Sequence, residues 1–125
     1  MNHTARGLVL CLAALLAGGC ADQHEKNLEE QLKLLTELNE VLAGIQDKAS
    51  LDVAISKLER LNDLIKANEE QAEKLEGRRE LRVEYKEKLD AERKKFGAHI
   101  ARIDKMGKEF FETRSKAMKD IPPFD

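Results

Sequence analysis

The chain is short of most residues that build compact enzymes and extracellular scaffolds. It has no Trp, one Tyr and four Phe, so aromatics make up 4% of its 125 residues. Only two prolines occur, at Pro122 and Pro123, so nothing before them forbids long helices. Two cysteines, at 11 and 20, are too few for a disulfide framework. The only long apolar run, Leu8 to Ala17, is too short to span a bilayer as a helix. No stretch alternates with the period of a strand. These absences exclude a large or multidomain enzyme, a disulfide scaffold and a multi-span membrane protein.

What is present is charge and helical periodicity. Charged residues are 37% of the chain and apolar ones 42%. Twelve apolar residues lie before Cys20, so from Cys20 onward charge outnumbers apolarity, 45 to 40. That composition fits an all-α protein, read as an elongated three-helix bundle or an antiparallel helical hairpin or coiled coil. Helix 1 is predicted over about 23–46, from the stripe Leu28, Leu35, Leu38, Leu42 and Ile45 widened by Leu32, Leu34 and Val41. Asp22 with Glu25, or Asn27 with Glu30, has the spacing of an N-terminal capping box.

Helix 2 is predicted over about 51–76, capped by Asp47 or Ser50, with Leu51, Ala54, Leu58, Leu61 and Ile65 inward. At Gly77 the apolar stripe jumps by roughly 120°, so Gly77 is read as a turn, with one continuous helix as the alternative. Helix 3 is predicted over about 79–117, with Gly97 and Gly107 as points of bending or close approach. The tail, 118–125, is expected to be extended.

Catalytic constellations are missing. His24-Glu25 has no second histidine four residues on, where Leu28 stands, and His99 has Phe96 where a di-iron half-site requires Glu. His24 is expected to be solvated and His99 to flank the apolar stripe. Glu69, Glu70, Glu73 and Glu76 read as a solvated helix face. No cofactor and no enzymatic activity are expected.

The net charge of −2 is a sum of opposites. Residues 21–77 carry 7 basic and 14 acidic side chains; residues 78–125 carry 14 and 10. One expectation is that helix 3 packs beside the acidic helices and neutralises them. The other is that 93–119 is a basic amphipathic helix for an anionic lipid or wall polymer, with Lys94, Lys95, Arg102, Lys105 and Lys108 as contacts beside Phe96, Phe110 and Phe111. No nucleic-acid module is recognisable.

The N-terminus has the order of an export signal: a start containing Arg6, the apolar run, then small residues before Cys20. Leu16-Ala17-Gly18-Gly19-Cys20 resembles the lipobox of bacterial lipoproteins. The resemblance implies that residues 1–19 are removed and that the Cys20 thiol carries a diacylglycerol, often with a further acyl chain such as palmitate on the new amine. Residues 20–125 would then form a lipid-anchored helical domain in the bacterial cell envelope. Ala21, rather than Asp, implies the periplasmic face of the outer membrane if the organism is Gram-negative.

The body is loosely similar to small uncharacterised helical proteins exported by bacteria. The similarity rests on Asp47-Lys48-Ala49-Ser50, Ala54-Ile55-Ser56-Lys57-Leu58 and the Tyr85/Leu89 pair, and covers roughly 40–110. The expected role is a structural or adaptor lipoprotein that meets an envelope protein or a second copy of itself. The alternatives are the anionic-surface module and a small periplasmic chaperone-like or inhibitory protein.

Overall fold

A computed structural model describes the backbone of residues 3–75 and 83–122, and the side chains of 23–75 and 83–122. Gly77, Leu81 and the last three residues lie outside these, as does the side chain of Cys20. The protein is all-α. Among the described residues there are four helices and no strand: α1 His3–Ala43, α2 Lys48–Lys74, α3 Val83–Asp104 and α4 Lys108–Ala117.

The turn between α1 and α2 follows from its residues. Gly44 and Ile45 donate backbone bonds three residues back, to Val41 and Leu42, closing α1 on a tightened turn. Asp47 then adopts an extended conformation and caps α2. Its Oδ1 accepts from the Ser50 amide at 2.8 Å, and Ser50 Oγ accepts from the Asp47 amide at 3.0 Å. This reciprocal box satisfies donors that the first helical turn leaves unpaired. The helix therefore begins at Lys48, three residues earlier than its apolar pattern indicates, and Ala49 is exposed.

The predicted third helix is two helices. Gly107 has φ +139°, a conformation that side chains with a Cβ rarely adopt, and it divides α3 from α4. Gly97, by contrast, sits inside the continuous α3 with open space where a Cβ would lie, so no close approach requires it. The residues after α4 turn rather than extend: Ile121 donates to Met118 at 3.0 Å, while Ala117 and Met118 are buried.

Cross-helix bonds fix the directions. Asn27 meets Asn68 and Glu37 meets Arg60, so α1 and α2 are antiparallel. Tyr85 meets Glu29, Glu92 meets Asn39 and Arg102 meets Leu42, so α3 runs parallel to α1. Lys48 meets Glu109 and Asn62 meets Asp120, so α4 turns back alongside α2. The helices thus run up, down, up, down, with α1 between α2 and α3 and the short α4 closing the opposite side of one end. The core holds Leu35, Leu38, Leu42, Ile45, Leu51, Leu58, Leu61, Phe96 and Ile103. Burying a leucine or isoleucine is worth about 1.5–3 kcal/mol, and these residues come from three helices and, for Ile45, the α1–α2 turn.

Candidate functional site

Three asparagines that no apolar pattern selects are buried on the core-facing sides of α1 and α2: Asn27, Asn39 and Asn62. Each joins a second element. Asn27 Nδ2 donates to the Asn68 carbonyl at 3.0 Å, and Asn68 Nδ2 returns a bond to the Asn27 carbonyl at 3.2 Å. Asn27 therefore lies within α1 and is no N-cap. Asn39 Nδ2 donates to Glu92 of α3, and Asn62 exchanges two bonds with Asp120 after α4. A legible signal existed: Asn39 stands between Leu35 and Leu42, and Asn62 between Leu58 and Ile65, each where the stripe calls for an apolar residue. Buried amides favour partners, and these cross-helix bonds tie one helix to the next, although Asn39 Oδ1 itself is buried without a hydrogen bond. His24, expected in solvent, is buried near the start of the described part of α1.

The five basic residues assigned to an anionic surface have different tasks. Arg102 donates through Nη1 to the Ile45 carbonyl at 2.7 Å and through Nη2 to the Leu42 carbonyl at 2.8 Å. Its cation closes the C-terminal end of α1, where orphan carbonyls concentrate partial negative charge. Lys95 pairs with Glu92 at 3.2 Å, and Lys108, 86% exposed, approaches Glu112 at 4.0 Å. Lys94 and Lys105 are exposed and form no ion pair among the described residues.

As expected, α3 packs beside the acidic α1, but among the described residues the cations of 93–119 do not neutralise it through direct ion pairs. No cation of 93–119 pairs with an acid of α1 or α2 among the described residues. They pair locally instead: Arg93 with Asp90 at 3.5 Å, and Arg114 with both carboxylate oxygens of Asp104 at 2.7 and 2.8 Å. The Arg114 guanidinium also lies over Phe111, 5.2 Å from the ring centre, and Phe111 is 47% exposed. The one ion pair described between the two halves is Lys48–Glu109, with its signs the other way round.

Titration follows these contacts. The Asn39 amide holds the Glu92 carboxyl below its usual range, opposed by burial and aided by Lys95. Burial lowers His99, and the positive charges of Arg102 and Lys95 lower it further. Burial raises Glu69, reinforced by the neighbouring charge of Glu73.

The described cavities are open grooves between α1 and α2. The largest, about 380 Å³, is lined by Gln23, Lys26, Asn27, Leu64 and Asn68 among others, and another of about 270 Å³ lies beside Val41, Gly44, Val53 and Lys57. Among the described residues no three His, Cys, Asp or Glu side chains come together as metal ligands. Among them, too, no helix is long and apolar enough to cross a membrane. No protein-family profile matches the chain, and no curated protein or solved structure matches it either.

Proposed function

We propose that the protein is a lipid-anchored, non-catalytic protein of the bacterial cell envelope whose helical body serves as a structural or adaptor element. The observation that carries this reading is the lipobox-like Leu16-Ala17-Gly18-Gly19-Cys20 set directly before the body. Asn27 and Leu28 are buried only seven and eight residues after Cys20, which leaves no room for a flexible tether. Two or three acyl chains on Cys20 would make a durable anchor, since each buried CH₂ contributes about 0.8 kcal/mol. The cleaved signal, the envelope location and the absence of a catalytic task belong to this proposal.

The body suits such a role. Its polar side chains join helices to one another, through Asn27, Asn39, Asn62 and Arg102, and the largest described groove beside them is open. Membrane fractionation of cells expressing wild type and Cys20→Ala tests the anchor. The variant should keep its unprocessed size, while the wild-type membrane form is the shortened, acylated one; membrane-bound protein of the same size with and without the substitution would refute the assignment.

A further inference from the structure

We infer that the outer face of α3, centred on Lys94 and Lys105, is a contact surface for a linear polyanion of the envelope lying beyond the headgroups of the anchoring membrane. The inference rests on the proposed lipid anchor for its orientation. From Arg93 to Ile103 the chain carries four cations and no acid. Two of the four, Arg93 and Lys95, pair within α3, and Arg102 is committed to the α1 carbonyls. Lys94 has no ion-pair partner among the described residues and is exposed, as is Lys105.

These two lysines belong to one stripe. Eleven residues at 3.6 per turn return to within about 20° of the same direction and rise about 16 Å. The helix persists to Lys105, whose amide donates to Ala101 at 3.3 Å. Between them on the stripe stand Ala98 and Ala101, both exposed, and the neighbouring Gly97 has open space where a side chain would lie. A chain laid along α3 therefore meets two free ammonium groups with nothing longer than a methyl between them.

Position selects polymer over bilayer. Lys94 stands just beyond the contact of Glu92 with Asn39, about 24 Å along α1 from Gln23, and Lys105 lies farther still. Charges that far from a headgroup layer are screened, because the Debye length is about 8 Å at physiological ionic strength. The stripe also changes sign toward the anchor, where Glu84, Glu87 and Asp90 would repel an anionic leaflet on which the body lay flat.

The test uses full-length protein in neutral detergent micelles, with inorganic polyphosphate as the probe and vesicles of anionic phosphatidylglycerol in phosphatidylcholine as the competitor surface. Polyphosphate should bind with a salt-dependent affinity. In Lys94→Gln/Lys105→Gln that affinity should fall on the order of tenfold, and the slope of log K against log salt should decrease by about 2. Lys57→Gln, an exposed lysine of α2 without an ion pair, should change neither. An equal loss in the Lys57 control, an unchanged double variant, or double-variant-sensitive binding to vesicles in place of polyphosphate would overturn the inference. Circular dichroism verifies that each variant remains helical. Fractionation of Cys20→Ala reports on the anchor separately, so the two readings fail by different results.

Discussion

Asn39 donates from one nitrogen to two oxygens of Glu92, the backbone carbonyl and Oε1, each at 2.8 Å. The pair joins α1 to α3 where both side chains are largely buried, and it favours the charged carboxylate. Replacing Asn39 by Ala would leave that carboxylate partly buried without its strongest donor. A loss of about 1–3 kcal/mol in urea denaturation is expected. The Glu92 carboxyl carbon, followed by NMR, should titrate at higher pH in the variant. An unchanged midpoint and titration would show that the contact contributes nothing.

Acidification should destabilise the body in two stages. His99 titrates below its ordinary 6.5 in the folded state, so its contribution is full above 6.5 and is lost as pH falls through the folded value. Glu92 behaves likewise from its ordinary 4.5 downward. Glu69 acts in the opposite sense, its contribution being full below 4.5 and lost as pH rises through its elevated value. Urea midpoints from pH 8 to 3 should therefore fall first with His99. In His99→Gln the upper stage should flatten while the lower one stays.

Gly97 within α3 and Gly107 before α4 should respond oppositely to alanine. Gly107→Ala places a Cβ on a backbone at φ +139° and should cost about 1–3 kcal/mol. Gly97→Ala enters open space inside a helix and should stabilise by up to about 1 kcal/mol. Thermal melts of the pair decide whether the break at 107 is built into the backbone, and equal shifts would argue that it is not.

Arg102 should matter to stability far more than its basic neighbours. Arg102→Met removes two bonds to the end of α1, leaving the Ile45 carbonyl unmatched and the Leu42 carbonyl with the Ile45 amide alone, for an expected loss of about 1–3 kcal/mol. Lys94→Gln, exposed and without an ion pair, should shift stability by less than about 0.5 kcal/mol. Parallel urea titrations give the comparison directly. Similar losses would mean that the cap is no stronger than an ordinary surface charge.

Much of the architecture was legible because the apolar stripes are regular. Leu35, Leu38, Leu42, Leu51, Leu58, Leu61 and Ile65 are buried as their spacing indicates. Asp47 and Ser50 stand in the sequence as alternative caps of α2, and the structure makes Asp47 the cap with Ser50 its reciprocal partner. The division at Gly107 was harder, since the stripe Phe96, Ile100, Ile103, Met106, Phe110 passes through it without changing period. Only the backbone angle distinguishes Gly107 from Gly97.

For the basic residues, charge and position suggested five equivalent contacts. What separates Arg102 from Lys94 is the end of another helix, reached across 57 residues of chain to Ile45, and no local pattern carries that information. The buried asparagines are a middle case, visible as interruptions of a stripe but with partners that only the fold supplies.

The brevity of α4 has a kinetic corollary. Its ten residues amount to fewer than three turns, too short to persist as a helix in isolation. Its order depends on docking, through the Arg114–Asp104 fork and the Asn62–Asp120 exchange. The segment can thus detach and reform while α1, α2 and α3 remain assembled, which makes it a local opening unit. Backbone amides of α4 should exchange with solvent at rates set by that undocking, ahead of those along the middle of α1. The α4 segment would then be open to a protease or a competing helix ahead of the described middle of α1.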